Sequence, residues 1–353
     1  MMQIVTHTGG AYTKPIDAQT RLAHAPDGQE QGDALDKRQQ YQGPEQVLHA
    51  LGRLAERQQH TATAVKAFAR IGTPQQLQDV ADSAVAVGQQ AHLLEAGLRE
   101  FALLGLVDTR DVRMFEGQTL AQLRTLETPA PLTHEVLNQP NSSSDFFEQL
   151  LAMIGQIRGE YLAVYEELLK TYSDFYSEFN TEVMAKMGQW IKGDGDGKQV
   201  EINYDFYITI RNLIDKHSQT VLFPLPNAPS ATEAEVRKWA KAMGMGENSP
   251  NIREEPAGSG QFVLLMDVSP LNRMAEQLDA LPFVGGVIKV DSAKFQAWQT
   301  GFNSLEGELK NQLQVFTTKY GNANSYHENF NKILSSQLSQ YAEMLKAIAS
   351  GIA

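Results

Sequence analysis

With 353 residues, 42% of them hydrophobic, the chain is long enough for two or three domains built around a buried core. Forty-two acidic against 30 basic residues leave a formal charge of -12, which argues against nucleic acid or an anionic membrane as a partner and points to proteins or small amphiphiles. There is no cysteine, which excludes disulfides, thiol nucleophiles, iron-sulfur clusters and thiolate zinc sites.

Residues 1–42 open MMQIVTHTGGAYTKPIDAQT and hold no apolar run of the roughly 7 to 15 residues that a Sec signal needs. Such a polar segment cannot bury enough apolar area to offset the entropy of ordering it, so a flexible tail is expected. A helical hairpin is predicted over 43–127, starting at Gly43-Pro44 because proline suits a first turn. Its first stripe is Val47, Leu48, Leu51, Leu54, Val65, Phe68 and Ile71. Thr73-Pro74 caps a second helix with the stripe Leu77, Val80, Ala84, Val87, Ala91, Leu94 and Leu98, and a weaker helical stretch follows at Leu120 to Leu126. Residues 128–144 (TPAPLTHEVLNQPNSSS) have the composition of a linker.

Residues 145–191 contain no proline, and Ile154, Tyr161, Leu168 and Phe175 fall seven apart, predicting a first coiled-coil helix of about 70 Å. A second is predicted over 291–353, opened by Asp291-Ser292, with Phe295, Phe302, Leu309 and Phe316 on its seam. Near residue 330 the register slips by four, a stutter, and Leu334, Leu338, Tyr341 and Leu345 take over. The two helices are expected to pair as an antiparallel stalk carrying residues 192–290 at one end. There the period changes: Val200 to Tyr204, Gln261 to Val268 and Val287 to Val290 favour strands, and Thr232 with Glu235 forms a capping box for a helix ending near Gly244. The expected fold is mainly α, a long antiparallel coiled-coil stalk with an N-terminal helical hairpin and a small inserted mixed α/β domain.

Gly155 and Gly159 each cost about 1 kcal/mol relative to alanine inside a helix, so they are read as a site of close helix-helix approach. The hairpin's small residues Ala81, Ala84, Gly88 and Ala91 are the expected partners. The loop Gly193 to Lys198 (GDGDGK) mimics the start of a calcium loop, but Gln199 stands where the invariant glycine belongs. It reads as a turn. The eight histidines form no metal-ligand pair, and no nucleophile elbow or paired-carboxylate motif stands out. No metal, cofactor or catalytic residue is therefore expected, and the chain reads as no enzyme. The alternative, an enzyme with its site in the α/β insert, predicts a polar pocket of converging titratable groups in 192–290. A pore-forming role would need a membrane-spanning segment, and no run approaches the required length of about 20 apolar residues.

Eight segments carry a resemblance: YLAVYEELLKTYSDFYSEF (161–179), MGQW (187–190), TVLFP (220–224), ATEAEVRKW (231–239), MDVSPL (266–271), AKFQAWQTGF (293–302), KYGNANS (319–325) and KILSSQLS (332–339). In this order they resemble the needle-tip proteins of type III secretion systems, of the SipD/IpaD/BipD type. The likeness runs from about residue 150 to 345, and the first 145 residues match only in character. The resemblance implies a bacterial protein, secreted through the apparatus on an uncleaved N-terminal signal and held at the needle tip. Implied partners are the needle subunit, the hydrophobic translocators, further copies of itself in a homo-pentamer, and bile salts. It further implies that the cap restrains secretion and supports translocator insertion, and that the hairpin acts as a self-chaperone over the coiled coil. By analogy the C-terminal helix makes the needle and oligomer contact, assigned to Phe330, Leu334, Leu338, Tyr341, Leu345 and Lys346, where the stutter breaks the two-helix seam.

Overall fold

A computed structural model describes residues 29–103, 110–132, 139–194, 196 and 198–352. The chain divides into two units, 1–41 and 42–353. Of the first, the described residues 29–41 are helical, and the expected tail at 1–28 lies outside the described residues. The expected linker lies partly outside them too, at 133–138.

Helix α1 (Gln29–Ile71) corrects the expected start at Gly43-Pro44. Residues 29–42 consist largely of good helix formers, and the helix runs through Pro44, which gives up one i to i-4 hydrogen bond there. Helix α2 (Pro74–Leu103) opens on a reciprocal cap: the Thr73 amide donates to Gln76 Oε1 at 3.1 Å while the Gln76 amide donates to Thr73 Oγ1. Helix α3 (Arg110–Arg124) follows and lies on both stalk helices.

The first stalk helix is not one uniform coil. It runs as α4 (Ser143–Gly155), a π-helical stretch Gln156–Leu162, α5 (Ala163–Phe179), a second π-helical stretch Asn180–Met184, and the single turn α6 (Met187–Trp190). Each wide turn inserts a residue into the i to i-4 ladder, yet the heptad positions Ile154, Tyr161, Leu168 and Phe175 stay buried across the first of them. The partner, α10 (Ser292–Ile352), is unbroken through the stutter and spans about 90 Å at 1.5 Å per residue. It starts where Asp291 Oδ1 accepts the Lys294 amide at 2.8 Å.

The pairing is antiparallel. Tyr161 faces Tyr326 at 6.0 Å between ring centroids, Tyr172 meets Phe316 at 5.0 Å, and the Tyr172 hydroxyl donates to the Leu309 carbonyl. Ile154, Tyr161, Leu168, Phe175, Phe302, Leu309 and Phe316 are buried, and Phe295 is half-buried at the start of α10.

Between the rods the insert forms two antiparallel sheets. One has the order β1 (Ile191–Gly193), β2 (Gln199–Asn203), β7 (Val287–Asp291), β6 (Phe283–Val284). The other has the order β3 (Val221–Phe223), β5 (Phe262–Leu265), β4 (Ile252–Glu254). Three helices accompany them, α7 (Tyr204–His217), α8 (Glu233–Met243) and α9 (Ser269–Asp279). Thr232 and Glu235 form the full capping box of α8, which ends on Gly244 with φ 88, a left-handed conformation glycine adopts without steric cost. The Gly193 to Lys198 loop is the β1–β2 turn, in which Asp194 Oδ1 accepts the amides of Lys198 and Gln199. Trp239 of α8 packs on Tyr165 and Phe223, and Glu178 of α5 bonds Lys216 and His217 of α7, so the insert is fastened to the rods.

Candidate functional site

Two stretches of α10 are covered, one by α1 and the other by α3 together with α4 of the first stalk helix. The first lies under α1. An ideal Cβ on Gly321 would come within 2.8 Å of Val65 Cγ1, so the helices approach closely only because position 321 lacks a side chain. One turn on, Asn324 donates from Nδ2 to the Gln58 carbonyl at 3.2 Å. Gln58 and Asn324 meet here, and Thr61, His327 and Asn331 on the same stretches of the two helices are buried as well, an unusual concentration of buried polar side chains.

The second covered stretch lies under α3 and α4. Tyr341 is surrounded by the rings of Phe115, Phe146 and Phe147 at 5.9, 6.2 and 6.0 Å, and its hydroxyl donates to Glu116 Oε1 at 2.9 Å. Gln337 donates from Nε2 to Gln122 Oε1 at 2.7 Å, and its own Oε1 lies 3.0 Å from the Thr119 hydroxyl. The stutter therefore does not free this segment. It hands the face to α3.

Of the residues assigned to the needle and oligomer contact, Phe330, Leu334, Leu338 and Tyr341 are buried within the monomer, Leu345 is half-buried, and the Lys346 side chain lies outside the described residues. The expected close approach at Gly155 and Gly159 does need correction: a Cβ at either would meet nothing within 4 Å, and the same holds for Gly88. They stand at the entry to and inside the π-helical stretch, where backbone geometry departs from the α-helix, and no described residue crowds either position.

Charge adds a clamp. Arg158 of the π-helical stretch reaches α2, with Nε 2.5 Å from Glu95 Oε1 and Nη1 2.6 Å from His92 Nε2. Burial raises the Glu166 carboxyl to about 7, an effect the Arg158 charge partly opposes. Burial lowers His327 to about 4, with Arg158 adding to the shift. Glu166 lines a cavity with Ala81, Ala84 and Val85 of α2, and His327 lies one turn along α10 from Asn324, which bonds Gln58 of α1.

A cavity of about 410 Å³ opens between the hairpin turn and the stalk, with Phe68, Leu77, Tyr176 and Leu313 in its walls and Lys170 and Lys310 among its polar lining. Leu225 and Pro226 of the insert reach the neighbouring cavity beside Glu166. No group of three or more His, Asp or Glu able to hold a metal occurs among the described residues, and none of their helices is long and apolar enough to cross a membrane.

Sequence periodicity did not single out Gln58, Val65, Gly321, Asn324, His327 or Asn331 as a site. The available signal was the run Gly321-Asn322-Ala323-Asn324, small and polar residues inside an otherwise apolar heptad.

A family model for type III secretion systems tip complex components matches residues 42–348. The cell invasion protein SipD of Salmonella typhi is 34% identical over 247 residues, 67% of this chain and 71% of that one. Invasin IpaD of Shigella flexneri is 31% identical over 204 residues, 57% of this chain and 59% of that one. Translocator protein BipD of Burkholderia thailandensis is 27% identical over 203 residues, 57% of each. Among solved structures, the Pathogenicity island 1 effector protein from Chromobacterium violaceum is similar with a TM-score of 0.60 and 27% identity, covering 89% of this chain and 99% of that one.

Proposed function

The chain belongs to the family of type III secretion tip complex components, and from that premise we propose that it caps the secretion needle as a homo-pentamer whose assembly surface is held shut in the monomer by α1, α2 and α3. The observation that carries this reading is the burial of Phe330, Leu334, Leu338 and Tyr341. An exposed stripe of such residues on a rod this long would self-associate, and an intramolecular cover enjoys a high effective concentration against that hazard. Lifting the cover bares the face of the stripe that α3 occupies, while Phe146 and Phe147 of the first rod stay on Tyr341, a two-state switch that serves the needle subunit and neighbouring copies. At the tip, the cap restrains secretion and supports entry of the hydrophobic translocators into the host membrane.

The family is one of secretion structural components and not an enzyme family, which disfavours a reaction centre in the insert. Bile salts enter as ligands of the cavity at the hairpin turn. Its volume suits a small amphiphile, with Phe68, Leu77 and Leu313 against the steroid rings and Lys170 or Lys310 pairing the anionic end.

A reversible lock tests the central step. The distance from an ideal Cβ on Gly321 to Val65 Cβ is 3.7 Å, within the range of a disulfide, and the chain has no native cysteine to interfere. Val65→Cys with Gly321→Cys, oxidised, is expected to stay monomeric and to fail to bind purified needle filaments, while dithiothreitol restores both activities. Equal needle binding by the oxidised and reduced forms would show that the hairpin need not move.

A further inference from the structure

The contact of α1 on α10 is polar where a stable helix pair would be apolar. Asn324, His327 and Asn331 follow one another at i, i+3 and i+7, which places them on one stripe of α10. Gln58 and Thr61 belong to the facing region of α1. Both amide atoms of Gln58 and of Asn331, both ring nitrogens of His327 and Oδ1 of Asn324 are buried without a hydrogen-bond partner among the described residues. Gln58 and Asn324 meet across the contact and are solvated when the helices part, and His327 and Asn331 share the Asn324 stripe, so closing the contact desolvates polar atoms with little return.

The apolar residues are distributed differently. Leu54 and Phe68 of α1 flank the polar residues along the helix, and on α10 Ala323, Phe330 and Leu334 are buried alongside them. Any slip of α1 along α10 would set amides against those apolar side chains. One register is thereby specified at a cost in stability, the role that a buried asparagine plays in a coiled coil. The α5–α10 seam is built differently, with Leu168, Phe175, Leu309 and Phe316 supplying the burial.

We propose that Gln58, Asn324, His327 and Asn331 form a release layer, which seats α1 in one register on α10 and keeps that seat weak enough for the hairpin to leave while the α5–α10 seam stays closed. This rests on the reading that the hairpin leaves the stalk, and names the residues that regulate its leaving. Gly321 and Asn324 then act together, since the glycine admits α1 closely and the amide beside it limits how tightly α1 is held.

The test replaces the layer with apolar side chains of similar volume in the full-length chain: Gln58→Leu, Asn324→Leu, His327→Leu and Asn331→Leu together. Amide hydrogen exchange over 46–71 is expected to slow by about tenfold or more, with 292–316 unchanged and needle-filament binding reduced. Unchanged or faster exchange over 46–71, in a variant with wild-type circular dichroism, overturns the proposal. Should the quadruple variant misfold, Asn331→Leu and Gln58→Leu alone are read on the same scale, slower exchange supporting the layer and equal or faster exchange overturning it. The oxidised Val65–Gly321 lock separates the two ideas. Needle binding by the locked chain defeats hairpin release as such, whereas the layer stands or falls on the exchange rates.

Discussion

The Tyr341 hydroxyl donates to Glu116 Oε1 at 2.9 Å with both residues buried, joining the C-terminal reach of α10 to α3 rather than to another molecule. Tyr341→Phe keeps the ring among Phe115, Phe146 and Phe147 and removes this bond. The expected loss is about 1 to 3 kcal/mol, read as a lowered denaturation midpoint and faster amide exchange over 110–124. Exchange confined to the insert would place the bond's effect elsewhere.

Arg158, Glu95 and His92 hold α2 to the stalk, and Glu95 is buried while Arg158 keeps some solvent contact. Glu95→Ala is expected to destabilise the docked hairpin by about 2 kcal/mol or more, because the Arg158 guanidinium loses its carboxylate in a largely dry site. Glu95→Leu with Arg158→Leu together should cost less than either change alone. A double-mutant cycle by chemical denaturation checks this, and simple additivity would refute the clamp.

Two buried groups give hairpin docking opposite pH dependences. Glu166 is raised from 4.5 to about 7 by burial, so docking favours its protonated form; that contribution is present below 4.5 and is lost as pH rises to about 7. His327 is lowered from 6.5 to about 4 by burial and by Arg158, so docking favours its neutral form; that contribution is present above 6.5 and is lost as pH falls towards 4. Beside His327 the π-helical stretch presents Arg158, α2 contributes Glu95 and His92 through their bonds to Arg158, and α1 presents the uncharged Gln58 one turn away at Asn324. The two slopes oppose each other between about pH 4.5 and 6.5. Relative to wild type, Glu166→Gln should make docking strengthen with pH across that window, and His327→Asn should make it weaken. Parallel difference curves for the two variants, measured by exchange over 46–71, would contradict the assignment.

Glycines on the two rods should respond with opposite signs. Gly321→Ala drives a Cβ into Val65, and overpacking of that kind costs about 1 to 3 kcal/mol, here in hairpin docking. Adding Val65→Ala should recover most of the loss. Gly155→Ala meets open space and is expected to stabilise by up to about 1 kcal/mol through helix propensity alone. Thermal denaturation of the three variants decides it, and a destabilised Gly155→Ala would revive the close-approach reading.

The rods were legible in sequence because their signal is local and periodic. Leu168 and Phe175 on one helix, and Leu309 and Phe316 on the other, repeat every seven residues, and no proline interrupts either run. Thr232 with Glu235 marked a helix start for the same kind of reason, since a capping box is complete within four residues. The π-helical stretches were not legible. An inserted residue in the backbone ladder leaves the apolar spacing nearly intact, and Gly155 and Gly159 offered a competing explanation that the structure rejects.

What the sequence determined by itself was therefore the inventory: two long rods, a hairpin, a mixed insert, and an apolar stripe continuing to the end of α10. Only tertiary structure decided what lies over that stripe, because the apolar pattern of Phe330, Leu334, Leu338 and Tyr341 reads the same whether the neighbour is α3 or another chain. Periodicity records that a face is buried and carries no information about what buries it. Val65 over Gly321 and Gln58 beside Asn324 are contacts between residues more than 250 positions apart, fixed by the packing of whole helices and by no local rule.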